Sequence, residues 1–269
     1  MASPINYSSI KLILTDLDGT LLHDDKTISD FSLQVLKEAQ KSGILIGFST
    51  SRAKIAIKEY IDQVKPDFLI TNGGASVFVE DQVIYSCEFT PQETQTILNA
   101  VYKVCGENAE MTADHVDKIY WNRHVEEMSV KFADYSIYDD FKNFNQSAMK
   151  ICVQTTDENK ASQIAASIGA GKIDYLKFSD IPWYKFSKSG ATKEKAIEAL
   201  IDYTHIPIEQ TAAFGDDFND IGMLKLVGTG IAMENAIKEV KQCANETTCT
   251  NNEDGVAKWI KDKIFCSNH

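Results

Sequence analysis

The stretch Ile13-Leu14-Thr15-Asp16-Leu17-Asp18-Gly19-Thr20 decides how this chain is read. An apolar run with the character of a buried strand ends on two carboxylates one residue apart, and a glycine follows at once. Alternation sends Asp16 and Asp18 to the same side, but both come after the last apolar residues, where the chain leaves its sheet. Two acids held this close repel each other unless a cation or a shared proton relieves them. With a metal to neutralise its target, one of them can act as a nucleophile. The plain alternative is an Asp-Gly turn with both acids solvated.

Around that stretch the same pattern recurs. Near-continuous apolar runs at Ile10 to Leu14, Ile44 to Phe48 and Phe68 to Ile70 are separated by amphipathic segments. That spacing predicts a parallel sheet covered by helices on both faces. Ser29 to Lys41 reads as a helix with Ser29 as its cap, Phe31, Val35 and Leu36 inward, and Gly43 ending it. Arg52 to Val64 reads as the next helix. The last third repeats this alternation, with helix Lys193 to Tyr203, strand Thr211 to Phe214, a short helix Asn219 to Leu226, strand Gly228 to Ala232 and a helix Val256 to Ile264.

The middle has another texture. Thr90-Pro91-Gln92-Glu93 is a capping box with proline at the first helical position, opening a helix through Cys105. Strands are expected at Tyr120 to Trp121, Met149 to Gln154, Ile173 to Phe178 and Trp183 to Phe186, with a helix from Asp157 to Ile168. The reading is an α/β protein: a doubly wound, Rossmann-like parallel-sheet core from residues 1–82 and 188–269, with an inserted α/β domain over 83–187.

Composition narrows the function. The 269 residues are 43% hydrophobic and 25% charged, which suits a globular chain in water. With 27 basic against 39 acidic residues the formal charge is −12, which disfavours nucleic acid and anionic membrane as partners. No obligate protein partner is implied. Met1 to Ser9 lacks the basic start and apolar core of a secretory leader, and no apolar run reaches spanning length, so a cytoplasmic location is expected. Cys87, Cys105, Cys152, Cys243, Cys249 and Cys266 show no C-x-x-C spacing, so neither a zinc site nor a compact disulfide framework is expected.

Polar clusters fall just past several core strands, where open parallel sheets bind ligands. After Asp16 and Asp18 comes Ser49-Thr50-Ser51-Arg52, where a hydroxyl and free amides could hold a phosphate oxygen. Lys193 follows Gly190-Ala191-Thr192 in a first helical turn, where a cation opposes the helix dipole unless an anion is near. Gly215-Asp216-Asp217-Phe218-Asn219-Asp220 gathers acids that invite a hard divalent cation, Mg²⁺ above all. A calcium loop does not fit, because Ile221 falls at the fifth position from Asp217. Together these parts suit phosphoryl transfer: Asp16 attacks phosphorus, Mg²⁺ and Lys193 spread the negative charge, and Asp18 protonates the departing oxygen.

These residues resemble the phosphatases of the haloacid dehalogenase superfamily, Cof type, the branch with a large α/β cap. Its D-x-D-G-T-L pattern is matched by Asp16 to Leu21, its hydroxyl motif by Thr50, its lysine motif by Lys193, and G-D-x-x-N-D by Gly215 to Asp220. The resemblance implies Asp16 as nucleophile and metal ligand, Asp18 as acid/base and backbone ligand, and Asp216 as the third protein ligand. Asn219 and Asp220 would support the metal's waters. Substrate contacts would come from Thr50, Ser51, Arg52, Asn72, Gly73, Lys193 and Asn235, the last lying in Ala232-Met233-Glu234-Asn235-Ala236. Glu253-Asp254-Gly255-Val256-Ala257 also fits the family. Two departures stand out: the usual T-G-R reads Thr50-Ser51-Arg52, and the asparagine before Gly-Ala comes one place early, as Asn72.

The implied activity is Mg²⁺-dependent hydrolysis of small phosphate monoesters, sugar phosphates foremost, through an aspartyl phosphate. Alternatives are a phosphomutase or phosphotransferase using the same intermediate, and a non-catalytic sugar-phosphate sensor. His23, His115 and His124 have no spacing that makes a site. Tyr120, Trp121 and Arg123 could greet a polar leaving group, although packing accounts for them as well, and Trp183, Tyr184 and Lys185 read the same way.

Overall fold

The computed structural model describes residues 6–123, 136–178 and 181–266. By internal contacts the chain forms two compact units: Met1–Ser51, Lys58–Tyr85 and Lys193–His269 make the first, Arg52–Ile57 and Ser86–Thr192 the second. Both are α/β. His124 lies outside the described residues, as does part of the expected insert.

The first unit opens with β1 (Leu12–Thr15), α1 (Asp30–Lys41), β2 (Leu45–Ser49), α2 (Lys58–Val64), β3 (Phe68–Thr71), β4 (Ser76–Val79) and β5 (Gln82–Ser86). The second contains α3 (Pro91–Cys105), β6 (Met111–Asp114), β7 (Ile119–Trp121), β8 (Ser136–Tyr138), β9 (Lys150–Gln154), α4 (Glu158–Ala165), β10 (Ile173–Lys177) and β11 (Trp183–Lys188). The chain then returns through α5 (Lys193–Thr204), β12 (Thr211–Gly215), α6 (Ile221–Leu226), β13 (Thr229–Ala232), α7 (Lys238–Cys243), β14 (Glu246–Thr247) and α8 (Gly255–Ile260).

The first sheet runs β14-β13-β12-β1-β2-β3-β4-β5. β1 is parallel to both β12 and β2, and Leu12, Ile13 and Leu14 have no exposed surface, as a strand covered on both faces requires. Chain order reverses on either side of β1, so the carboxyl ends of β1, β2 and β12 meet at a topological switch point, where such sheets leave a crevice. The sheet is not wholly parallel: β3 turns back into β4 through Asn72-Gly73-Gly74, each with positive φ. Val83 to Ser86, expected in the insert, belong to β5 on this sheet's edge.

Local differences from expectation have physical causes. Ser29 caps α1 as expected, its Oγ accepting from the Ser32 amide at 3.0 Å. Phe31 is only half-buried beneath the Lys261 ammonium, 5.5 Å from its ring centre. Ser32 is buried in its place, donating its hydroxyl to Asp254 at 3.0 Å. The helix expected from Arg52 is broken: Lys54–Ile57 is a 3₁₀ turn with Ala56 N–H on the Ala53 carbonyl, and α2 starts only at Lys58. The last helix leaves α geometry after Ile260 and continues as a π turn, Lys261–Phe265.

In the second unit, α3 begins on the expected capping box, with Thr90 and Glu93 bonded reciprocally. Its sheet runs β10-β11-β9-β6-β7-β8 and is antiparallel apart from β7 with β8. One face carries Met111, Ala113, Ile151, Val153 and Phe186, packed with Ile97, Leu98 and Val101 of α3 and Ala161 and Ile164 of α4. Tyr120 joins that side, edge-on to Phe144 at 4.9 Å, so packing is its structural use. Among the described residues no helix is long and apolar enough to cross a membrane.

Candidate active site

Asp16 follows β1 directly, its amide bonded to the Phe214 carbonyl at 3.1 Å, and its side chain is 9% exposed. Gly19 then takes φ +74°, and a Cβ built there would lie 2.3 Å from Asp216 Oδ2. Only glycine lets the loop after β1 come this close to the loop after β12. Thr20 closes the same approach by donating its hydroxyl to Asp216 Oδ1 at 2.7 Å.

The loop after β12 is built around Asp220, which is fully buried. Its Oδ2 accepts the amides of Asp216 and Asp217 at 3.0 and 3.2 Å, holding the acidic turn in shape. Its Oδ1 accepts the Lys193 ammonium at 2.6 Å. Ligand oxygens of Asp16, Asp216 and Asp220 all lie within 4.8 Å of one another.

Lys193 opens α5, where the sequence leaves a cation facing the wrong end of the helix dipole. Its 1% exposed side chain is satisfied by three acceptors: Asp16 Oδ1 at 2.7 Å, Asp220 Oδ1 at 2.6 Å and the Ser49 carbonyl at 2.6 Å. Burial would depress the Lys193 ammonium, but Asp16 and Asp220 outweigh it and hold the group above its ordinary range. Three acids thus share one cation. Burial, with Asp220 and Asp217 nearby, pushes Asp216 up to about 7 against the Thr20 hydrogen bond, and burial raises Asp16 as well.

The carboxyl ends of β2 and β3 complete the floor. Thr50 is buried, with its amide on the Ile70 carbonyl at 2.9 Å and its own carbonyl accepting from Gly73 at 3.0 Å. Asn72 is fully buried in a left-handed conformation (φ +55°), and neither polar atom of its side chain has a partner. The Ser49 hydroxyl and Asn219 Oδ1 are likewise buried without partners. An orphaned amide and hydroxyl at the ends of adjacent strands are the groups a polar ligand would satisfy.

Other expected residues are placed differently. The Asp18 carboxylate stands outside the cluster, 39% exposed, and pairs with Lys26 at 2.8 Å. Asn219 donates to the Ser51 hydroxyl at 2.9 Å, and Arg52 is grouped with the second unit. Asn235 donates to the Gly19 carbonyl at 2.7 Å and accepts the Asn251 amide at 2.9 Å. His23 pairs with Asp254 at 3.0 Å and His115 with Asp117 at 2.8 Å. Sequence reasoning assigned no role to Thr20 or Lys26, and named Ser49 only within the cluster Ser49 to Arg52. Thr20 lies inside the quoted motif, whereas nothing in the pattern around Lys26 points to Asp18.

A crevice at a switch point, lined by buried acids about one lysine, is a phosphoryl-transfer constellation. The family model of haloacid dehalogenase-like hydrolases matches residues 13–260. The chain belongs to this family. It is 31% identical to 5-amino-6-(5-phospho-D-ribitylamino)uracil phosphatase YitU of Bacillus subtilis, over 93% of this chain and 96% of the relative. A putative phosphatase of Haemophilus influenzae is 30% identical over 94% of this chain and 98% of its own. Among solved structures, the subclass IIB sugar phosphatase BT4131 superposes with a TM-score of 0.78 at 26% identity, covering 94% of this chain and 98% of that one. A haloacid dehalogenase-like hydrolase from Bacteroides thetaiotaomicron, 22% identical, shares the fold at a TM-score of 0.81 over 94% and 99% of the two chains. The chain is thus an enzyme of the family's phosphatase class.

Proposed function

We propose that this hydrolase is a Mg²⁺-dependent phosphomonoesterase acting on small phosphate esters, sugar and polyol phosphates foremost, through an aspartyl phosphate on Asp16. The observation that carries the reading is the buried Lys193 ammonium, shared between Asp16 and Asp220 beside Asp216. A lysine so placed neutralises an acid cluster and is within reach of an anion that enters it.

An Asp16 oxygen attacks phosphorus, the bond from phosphorus to the ester oxygen breaks, and Asp18 gives its proton to the departing oxygen. Water then attacks the aspartyl phosphate, Asp18 takes the water's proton, and inorganic phosphate leaves with Asp16 restored. Lys193 and the amides near Thr50 hold the phosphoryl oxygens. The donor set fits Mg²⁺: carboxylates of Asp16 and Asp216, with the Asp18 carbonyl implied by the family resemblance and Asn219 and Asp220 in support. When bound, Mg²⁺ would neutralise phosphoryl charge that otherwise repels Asp16. Asp216, raised to about 7 by burial and by the neighbouring Asp220 and Asp217, is a carboxylate whose charged form a cation would favour.

The second unit is proposed as the domain that carries substrate choice, because Asp16, Lys193, Asp216 and Asp220 all lie outside it. Two relatives bear the name of a phosphatase for a phosphorylated ribityl compound, which puts polyol phosphates first among esters to try. Retention of both Asp16 and Asp18 favours catalysis over a sensor role. The test is phosphate release from a panel of sugar, polyol and aryl phosphates with Mg²⁺ and after exhaustive chelation. Release that chelation abolishes is expected. Full activity without metal overturns the Mg²⁺ assignment, and ester turnover without free phosphate would mean transfer to a second hydroxyl.

A further inference from the structure

The loop after β1 carries an ion pair that stability does not explain. Lys26 Nζ lies 2.8 Å from Asp18 Oδ1, with side chains 52% and 39% exposed. Ion pairs this open to water contribute little to the fold. Lys26 nevertheless takes φ +66°, a conformation that glycine or asparagine adopts at lower cost than lysine. A long cationic side chain kept at such a position points to a use for that side chain.

The backbone beneath it is held on both sides. The Lys26 amide donates to the His23 carbonyl at 2.9 Å, and the hydroxyl of Tyr60, a buried side chain of α2, donates to the Lys26 carbonyl at 3.0 Å. The Leu22 amide returns to the Leu17 carbonyl at 2.8 Å and the His23 amide to the Thr27 carbonyl at 3.0 Å, so successive turns bring residue 26 back beside residue 18. All of these residues belong to the first unit.

The place of Asp18 has a chemical reason as well. In-line displacement puts the departing oxygen on the far side of phosphorus from the attacking Asp16 oxygen. A proton donor for that oxygen belongs apart from the cluster of Asp16, Asp216 and Asp220, and the Asp18 carboxylate stands apart from it.

Resting on the phosphatase reading, we propose that Lys26 is a positioning residue for proton transfer, its ammonium holding the Asp18 carboxyl in the pose from which it serves the departing oxygen and then the attacking water. Lys26 engages Oδ1, so the proton passes at Oδ2: from Asp18 to the ester oxygen as the bond to phosphorus breaks, and from water back to Asp18 as the aspartyl phosphate is cleaved. The ammonium only donates, so it bonds Oδ1 before and after each transfer and keeps its own protons throughout.

The experiment measures kcat/KM with Mg²⁺ for an alkyl phosphate and for p-nitrophenyl phosphate, in wild type, Lys26→Asn, Lys26→Arg, Asp18→Asn and the double variant Asp18→Asn with Lys26→Asn. Asparagine tolerates the left-handed backbone, so Lys26→Asn should melt within about 2 °C of wild type. It should lose about tenfold on the alkyl ester and less than about twofold on the aryl ester, whose leaving group needs little protonation. Lys26→Arg, which keeps a donor to Oδ1, should recover most of the alkyl-ester loss. In the Asp18→Asn background the loss of Lys26 should cost nothing further, because its effect passes through Asp18. Equal losses on both esters would make Lys26 a contact of the phosphoryl group, a further loss in the Asp18→Asn background would give it a role of its own, and no loss on either ester would leave it a surface lysine. Each of these overturns the proposal and leaves the phosphatase reading intact. Failure to cleave any ester removes that reading, and this proposal with it.

Discussion

The two units bury charge in opposite ways. After β1 and β12, Asp16, Asp216 and Asp220 cluster about one buried ammonium, which bonds Asp16 and Asp220, and burial with Asp220 and Asp217 nearby pushes Asp216 up to about 7. In the second unit, Asp114 is matched by Lys150 at 3.2 Å and Glu110 by Arg123 at 2.7 Å. An unbalanced cluster is stable only if something from solution completes it, a proton or a cation. Balanced pairs need nothing further, and can only exchange one hydrogen-bonding partner for another.

The contrast breaks most visibly at Asp16. Asp16→Asn should lower kcat by on the order of 10³-fold or more, since an amide neither attacks phosphorus nor holds a metal as a carboxylate does. A variant keeping a tenth of the wild-type rate would remove Asp16 as nucleophile.

Lys193→Met should lower kcat/KM by about 10² to 10³-fold, the size of one preorganised electrostatic contact. It should also destabilise the fold by about 3–5 kcal/mol by leaving buried acids unpaired, read as a lower denaturation midpoint. Lys193→Arg should restore little, because a planar fork does not replace a compact ammonium among three acceptors. Activity within twofold of wild type in Lys193→Met would reduce the lysine to a packing residue.

Asp18→Asn sharpens the comparison within the first unit. Its loss should reach about 10²-fold on alkyl esters and be smaller on p-nitrophenyl phosphate, whose leaving group needs less help from an acid. Equal losses on both would argue against proton donation.

The burial of Asp216 beside other acids also fixes a sign for pH. Asp216 titrates near 7 in the folded chain and near 4 when unfolded, so between those values the folded state binds more protons. Without divalent metal, stability should fall as pH rises from about 4 to about 7 on this account, and saturating Mg²⁺ should raise the melting temperature most at the upper end. A metal-free melting temperature that climbs through that range, or no response to Mg²⁺ at pH 8, would contradict it. The smallest effect on chemistry is expected when residues 86–192 are replaced by the corresponding segment of a relative. The ranking of esters should change while chelation still abolishes activity, and an unchanged ranking would assign selectivity to the first unit.

Much of this was legible in the sequence. Apolar runs located β1, β2, β3 and β12 to within about two residues, because strands buried on both faces leave little room for polar side chains. The hairpin of β3 with β4 was missed, since Asn72-Gly73-Gly74 reads as a loop, and β5 was missed because it is exposed on an edge and alternates only weakly. Met111-Thr112-Ala113-Asp114 carries few β-formers, and its strand exists because both neighbours pair with it. Asp16, Asp216 and Asp220 were recognisable from spacing because each follows its strand closely. The ion pair of Asp18 with Lys26 and the double hydrogen bonding of Asn235 depend on where loops fold back, which no local pattern encodes.

Asn251 reaches the carbonyl of Leu22 across 229 positions, and Asn235 reaches that of Gly19 across 216. Asp254, itself left-handed at φ +61°, accepts from His23, Ser29 and Ser32. The loop that carries the first acids is therefore anchored by some of the last residues to join the fold. Contacts this distant form late, because the intervening chain must be ordered before they are made. A chain interrupted just before Asn251 would keep every acid of the cluster and its lysine, yet lose the turn that braces the loop beside them. During synthesis, catalytic competence would come only after the last turns had docked, which spares the growing chain a half-built site.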